Sequence, residues 1–341
     1  MMRVVAFAWG EHPSSPYRLF EPMMELARRG HYVSVYTDEA DLTPSEEDFR
    51  TIVETSDVAY FARHAHPPVQ QLAERLQREG IVVVWDHDDD YIARRKHSED
   101  PTDRREVEDI YRMIEIADLV TTTNERVAER YREEGAREVV PIPNYLTRTA
   151  LETPPRKHDG FVLGYIGWVD HQRDWEDLGV VDAVRRLLDE HPDLRVEIVG
   201  PLDFGFPPER CTLTTVVPFE QLPGIIAGFD VGLAPLADIP GNHSRSDIKL
   251  KEYALAGVPW LASPIGPYAE HGEDEGGWLV EDDEWYDALD ELISDKRARK
   301  RLAKHGVKWA RRHTLPANAG AWEEALEFAL ELGEERRAAR V

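Results

Sequence analysis

The sequence is short of cysteine, of lysine and of long apolar runs. One cysteine, Cys211, stands among 341 residues. No disulfide can form within the chain, and the composition suits a reducing, cytoplasmic setting. There are eight lysines, and the 41 basic residues face 66 acidic ones, for a formal charge of −25. A field of that sign works against general nucleic-acid binding, which needs cations to displace condensed counterions. It leaves room for a local basic cleft around a phosphorylated ligand. No stretch reaches the ~18 apolar residues of a membrane span, so no transmembrane segment is expected, with peripheral membrane association left open. The apolar run after Arg3 has the length of a strand and does not read as a signal peptide. There is no G-x-G-x-x-G, Walker loop, G-x-S-x-G, H-E-x-x-H or zinc-type cysteine pair. These absences count against dinucleotide binding, P-loop chemistry, serine hydrolysis and zinc proteolysis.

What is present is strand and helix in alternation. RVVAFA (3–8), HYVSVYT (31–37), DVAYFA (57–62), IVVVWD (81–86), DLVTTT (118–123) and EVVPIPNY (138–145) read as strands. Helical patterns lie between several of them, at 19–30, 68–80, 105–117 and 124–135. The second half repeats the grammar, with strands at 161–167, 194–200, 211–217, 230–236, 258–263 and 276–281. Its helices fall at 175–191, 219–229, 244–257, 284–293 and 295–312, with an amphipathic tail at 316–335. Alternation of this kind argues for parallel sheets covered on both faces. The length suits two domains. The expected division is 1–145, a linker 146–160 rich in turn residues, and 161–315. Residues 316–341 are expected to pack back on the first domain. In doubly wound sheets ligands sit beyond the carboxyl ends of the strands, so the strand-to-helix loops are where chemistry is sought.

Four such loops hold candidates. SRSDIKLKEYALAGVPWLAS (244–263) reads as a helix starting near Arg245, which puts Arg245, Lys249 and Glu252 on one stripe. Ser244 and Asp247 resemble a capping box. A helix N-terminus with two cations suits a diphosphate, and a carboxylate a turn later suits sugar hydroxyls. The alternative is a Lys249–Glu252 surface pair. GYIGWVDHQRDW (164–175) places Gly167, His171 and Asp174 on a loop entering a helix. They form either a second wall of that site or a helix cap beside a solvated histidine. VVVWDHDDDY puts Asp86, His87, Asp88, Asp89 and Asp90 past a buried strand. There they serve as a metal or cation site, a hydroxyl-orienting group, a base or ordinary loop structure. GEHPSSPYR (10–18), with Ser15, Tyr17 and Arg18, looks like a loop beneath a ligand.

These stretches together resemble the GT-B-fold glycosyltransferases, in particular the retaining group known as family 4. LFEPMMELARRGHYVSVYT, ADLVTTTNERVAERYREEGAREVVPIPNYL, GYIGWVDHQRD and APLADIPGNHSRSDIKLKEYALAGVPWLAS with GGWLVEDDEWYDALDELISD carry the resemblance. It implies two Rossmann-like domains facing a cleft, with a nucleoside-diphosphate sugar held mainly by the second. It implies transfer with retained configuration, with no metal and no cofactor. Glu252 matches the carboxylate that binds the donor ribose, while Lys249 and Arg245 would meet the diphosphate. His87, flanked by Asp86 and Asp88, lies where a histidine stands near the transferred sugar. Gly167, Trp168, His171, Asp174, Gly200, Pro218, Ser244 and Ser246 complete the expected donor side, and Ser15, Tyr17 and Arg18 the acceptor side. The sequence departs from the pattern at Ser244, where a sugar-contacting Glu is usual, and at Trp168, where an Arg is usual. The acceptor is open among a glycan, a lipid-linked intermediate, a protein and a modified nucleobase. A sugar-nucleotide epimerase and a non-catalytic sugar-nucleotide-binding scaffold are the competing readings.

Overall fold

The computed structural model describes residues 1–8, 12–37, 43–95, 101–154 and 160–339. In chain order the first elements are β1 (Arg3–Ala8), a π-helical turn at Pro16–Phe20, α1 (Glu21–Arg28), β2 (Tyr32–Thr37), α2 (Glu46–Thr55), β3 (Val58–Ala62), α3 (Pro67–Arg78) and β4 (Val82–Asp86). They continue with α4 (Tyr91–Arg95), α5 (Pro101–Ile116), β5 (Leu119–Thr122), α6 (Glu125–Glu133), β6 (Val139–Pro141) and α7 (Arg148–Glu152). Next come β7 (Phe161–Ile166), α8 (Gln172–Asp177), α9 (Val180–Glu190), β8 (Leu194–Val199), β9 (Cys211–Thr214), α10 (Leu222–Ile226) and β10 (Val231–Ala234). The chain ends with α11 (Ile248–Leu255), β11 (Trp260–Ala262), β12 (Gly277–Leu279), α12 (Trp285–Ser294), α13 (Lys296–Ala310), α14 (Leu315–Asn318) and α15 (Gly320–Ala338).

Two compact units result. The first holds 1–145, 244–246 and 315–341; the second holds 146–243 and 247–314. The first unit has a six-stranded sheet in the order β2-β1-β3-β4-β5-β6, and all its pairings are parallel. Alternate strand residues feed opposite faces. Val5, Phe7, Phe61, Val83 and Trp85 pack under α2, α3, α5 and α6, whereas Val4, Ala6, Tyr60, Val82 and Val84 pack under α1 and α15. Both faces are buried, which explains why IVVVWD reads as an unbroken apolar run. The second unit also has six parallel strands, in the order β12-β11-β10-β7-β8-β9. Strand order reverses between β1 and β3 in one sheet and between β7 and β10 in the other. These are the switch points at which open α/β sheets leave a crevice.

Several elements depart from the sequence reading. α2 was not expected, because Phe49 and Ile52 alone are buried along it and its apolar period is faint. Its start was nonetheless written in Ser45, whose Oγ accepts from Asp48 N at 3.1 Å, and in the acids that follow. The helix expected at 175–191 is two helices, because Gly179 adopts φ +68° between α8 and α9. The linker carries the short helix α7, capped by Thr147 Oγ1, which accepts from Ala150 N at 3.3 Å. Linker residues 155–159, Gly10 and Glu11 of the first candidate loop, and residues 340–341 of the expected tail lie outside the described residues.

α15 lies on the first sheet through Trp322, Leu326, Ala329 and Leu332. Gly333 allows the close approach: a Cβ there would stand 2.2 Å from Val82 Cγ2. Two polar ties fix the helix in place. Arg336 reaches the buried Asp118 at 2.6 Å and donates to Ile81 O at 2.9 Å. At the other end Glu323 takes Arg29 and His31.

Arg336→Ala takes the cation from the buried Asp118, leaving it the donors Gln77 Nε2 and Val83 N, so a loss of about 3 kcal/mol is expected in urea denaturation. The hydrogen bond from Arg29, aided by His31 and opposed by burial, lowers the Glu323 carboxyl to about 2. Its contribution is therefore full above the ordinary glutamate range near 4.5 and fades as pH falls toward 2. Glu323→Gln should flatten that acid limb of the stability profile, read as urea midpoints measured from pH 5 downward.

Candidate functional site

At the carboxyl edge of the first sheet, Arg18 and Asp86 are spent on each other. The Arg18 guanidinium donates to both Asp86 oxygens, at 3.1 and 2.6 Å. It also donates to Thr122 O, Ile142 O and Asn144 Oδ1, so all five N–H groups have acceptors. Thr121 Oγ1 adds a bond to Asp86 at 2.6 Å, and both charged side chains are 2% exposed. This corrects two expectations: Asp86 is not an open catalytic carboxylate and Arg18 does not face an acceptor, because each needs the other to be buried at all. Ser15 and Tyr17 are half-buried at the head of the same turn, where Ser15 Oγ accepts from His12 N at 3.3 Å.

His87 is buried one residue past β4. Its Nδ1 lies 2.9 Å from Asp89 O and 2.5 Å from Tyr131 Oη. The ring is boxed by Trp85, Tyr91 and Tyr131, with centroids 5.0, 5.2 and 5.9 Å away. Burial, and then the charge of Arg63, push the imidazole down to about 3, so it is neutral at ordinary pH. Asp88 pairs with Arg63 at 2.8 Å; against the effect of burial, that guanidinium holds the carboxyl well below the usual carboxylate range. Asp90 is a helix-start group, accepting from Ala93 N at 2.8 Å. Sequence reasoning missed Arg63, which follows β3 with nothing to announce its role, and Tyr131, which looked like one more apolar residue of α6.

In the second unit, Asp174 ties the switch-point loops together. It is 2% exposed and accepts from Ala237 N at 3.0 Å, Asn242 Nδ2 at 2.8 Å and His171 Nδ1 at 2.8 Å. It is more than a helix cap, and it fixes His171 rather than leaving it solvated. Gly167 and Gly200 stack backbone on backbone, since a Cβ on Gly200, at φ +132°, would stand 1.8 Å from Gly167 O. That contact requires glycine at 200, and at 167 a Cβ would stand 2.5 Å from the Tyr165 hydroxyl. Trp168 is 47% exposed and Pro218 is exposed at the start of a 3₁₀ turn.

α11 begins at Ile248, not near Arg245, and this overturns the single stripe. Arg245 and Ser246 lie upstream in a segment that groups with the first unit. There Arg245 faces Asp89 at 3.5 Å, and Asn124 Nδ2 donates to Ser244 O at 3.1 Å. Ser244 is buried and forms no capping box, and Asp247 flanks the helix without a capping bond from its side chain. The Asp247 carboxylate instead holds the buried Lys251 at 2.6 Å and His271 at 3.2 Å. Burial opposes its ionisation, but His271 and Lys251 keep it below the ordinary aspartate range. Lys249 and Glu252 remain on α11, three residues apart. Lys249 Nζ stands 4.4 Å over the Tyr165 ring. Glu252, 9% exposed, lines a cavity of 280 Å³ with Leu151, Pro223, Ile226, Leu255 and Arg311. Among the described residues no three His, Cys, Asp or Glu side chains are grouped to hold a metal ion, and no helix is long and apolar enough to cross a membrane.

No family model matches the chain. The D-inositol 3-phosphate glycosyltransferase of Corynebacterium urealyticum is 26% identical over 319 residues, spanning 81% of this chain and 71% of that protein. Sucrose-phosphate synthase from Thermosynechococcus elongatus superposes with a TM-score of 0.64 at 15% identity, over 99% of each chain. HepE of Anabaena, in its complex with UDP-glucose, superposes with a TM-score of 0.67 at 14% identity, over 96% of this chain and 100% of that one. The fold is GT-B, as the sequence resemblance implied.

Asp86→Ala leaves Arg18 buried without its anion, and a loss of about 3–5 kcal/mol is expected by urea denaturation. The paired change Arg18→Met with Asp86→Leu should recover most of it. An Asp86→Ala protein of normal stability would return Asp86 to the list of reactive groups.

Proposed function

We propose that this chain, a distant relative of the nucleotide-sugar glycosyltransferases of the GT-B type, moves a sugar from a nucleoside-diphosphate sugar to an acceptor. One observation carries the reading. α11 leaves the switch-point side of the second sheet with Lys249 in its first turn and Glu252 three residues on, one held over Tyr165 and the other on a cavity wall. A cation in the first turn of a helix, where the dipole is positive, suits a diphosphate. A carboxylate with two acceptor oxygens suits the two hydroxyls of a ribose. UDP-glucose is the ligand named for the HepE complex, and a uridine donor is accordingly the first to test.

The chemistry asks for a leaving group whose growing negative charge is met by fixed donors. Lys249 and the N–H groups at the head of α11 supply them without reorganising. In this proposal Lys249, and not Arg245, meets the diphosphate, because Arg245 lies off the helix against Asp89. His87, held neutral, neither adds a cation nor withdraws one at working pH. The departing phosphate takes the proton of the attacking hydroxyl on the same face, so configuration is retained and neither a protein base nor a metal is required.

A second reading is favoured by Ser244 and Trp168, which replace the sugar-contacting Glu and the Arg of the family pattern. On that reading the chain holds sugar nucleotides as a scaffold. The separating test is turnover: consumption of donor above background, lost in Glu252→Ala while the fold is kept, excludes the scaffold. Epimerisation is separated by following the donor by NMR with no acceptor added, since an epimerase alone produces a second free sugar nucleotide.

Thermal shifts with UDP, GDP, ADP and their sugars should give one base a clear advantage. Lys249→Ala should weaken that nucleotide about 10-fold or more, in line with loss of a charge-assisted contact. Unchanged affinity removes the diphosphate assignment. Activity should persist in EDTA; a strict divalent-ion requirement contradicts the metal-free step.

A further inference from the structure

We propose that Arg63 is a positioning residue: held in a strained turn, its guanidinium clamps Asp88 and Tyr91 and thereby fixes which nitrogen of His87 is presented for chemistry. The argument begins with the backbone. Arg63 has φ +68°, and it is the one non-glycine residue with a positive φ among the described residues. His64 N donates to Ala62 O at 2.8 Å across it, closing a γ-turn of the rare positive-φ kind. Such a conformation is strained for an arginine and persists only where the surroundings enforce it. The turn follows β3, on the switch-point side of the first sheet. Arg63 N donates back to Asp86 O at 2.6 Å, so the ladder to β4 continues up to the turn.

The strain is matched by what the side chain does. Arg63 Nη1 bonds Asp88 at 2.8 Å and stands 4.0 Å from Asp89, while the guanidinium stacks on Tyr91 at 4.6 Å. Tyr91 meets the His87 ring edge-on. Asp88 and Asp89 are the two residues after His87, so the clamp grips the loop directly after the imidazole.

The consequence is a fixed tautomer. Asp89 O is a carbonyl and can only accept, yet it lies 2.9 Å from His87 Nδ1. That distance requires the proton on Nδ1. Tyr131 fits the same assignment, since its hydroxyl donates to Asp89 O at 3.0 Å and leaves its oxygen lone pairs toward Nδ1–H. In a neutral ring Nε2 is then unprotonated and acts as an acceptor. The groups that face the ring and bias its charge are Arg63 and His12, which oppose protonation, and Asp88 and Asp89 O, which favour it. Tyr91, Tyr131 and Trp85 supply the walls. Arg63 therefore acts through Asp88 and Tyr91 rather than on a ligand directly.

The role of this acceptor nitrogen in transfer rests on the function proposed above; the clamp itself does not. The test is nitrogen-15 NMR of ring-labelled histidine in the full chain, with the His87 signals identified by His87→Gln. In the unaltered protein, His87 should show Nδ1 protonated and Nε2 bare throughout the neutral range. Arg63→Gly keeps the turn without strain but removes the clamp. It should raise the His87 pKa by about one unit or more and mix the tautomers. Should that variant fold poorly because Asp88 is left unpaired, Arg63→Gly with Asp88→Asn removes both charges and should still mix the tautomers. Arg63→Lys should restore part of the titration shift but not the Tyr91 stack. Wild-type tautomer and titration in both glycine variants, with the fold intact, overturn the clamp. Absence of sugar transfer by the unaltered protein overturns the function and leaves the NMR result standing.

Discussion

A carboxylate taken out of water must have both oxygens hydrogen-bonded, or the cost of burying it is not recovered. Two aspartates in this chain meet that condition at the carboxyl edges of their sheets, and the rest of each edge is arranged around them. Asp86 gathers Arg18 and Thr121, and through Arg18 the ends of β5 and β6. Asp174 gathers the loop after β7, the loop after β10, and His171. Both are buried and held by donors from neighbouring loops. Each fixes loops that, without it, would be the most mobile part of a parallel-sheet unit, and loops so fixed can carry side chains to defined positions.

The division between fixing and reacting explains how the charges are distributed. The net charge of −25 says nothing about individual loops. Cations are scarce, and most at these edges are already paired: Arg18 with Asp86, Arg63 with Asp88, Arg245 with Asp89, Lys251 with Asp247. Lys249 rests over an aromatic ring, an interaction that a phosphate can supplement. Neutrality of His87 follows the same logic, since a charged imidazole in that box would require an anion that Arg63 has already taken.

The architecture was legible because both sheets write themselves as apolar runs between amphipathic helices, and because glycine ended the helices where expected. α2 was hidden by its exposure, although Ser45 and its acids marked the start. The break at Gly179 was hidden inside an apolar period that continues across it. The site was legible by residue type and less so by role. Asp86, Arg18 and Asp174 were singled out as chemistry, yet spacing cannot say whether a loop carboxylate will be spent on an arginine or on a backbone amide 63 residues away in sequence. Arg245 was placed on a helix because the i, i+4 pattern holds in sequence, whereas Asp247, busy with Lys251 and His271, sets the true start. Arg63 gave no signal at all, since a positive φ at an arginine is imposed by its surroundings rather than encoded locally.

The central claim is that the head of α11 binds a pyrophosphoryl group. Calorimetric titration of the full chain with a nucleoside, its monophosphate and its diphosphate, using the favoured base, tests it most directly. The account predicts that the diphosphate binds at least about 10-fold more tightly than the monophosphate, as a further charge-assisted contact requires, and that the advantage shrinks with added salt. Equal affinities for the two phosphates, or none for either, would contradict it.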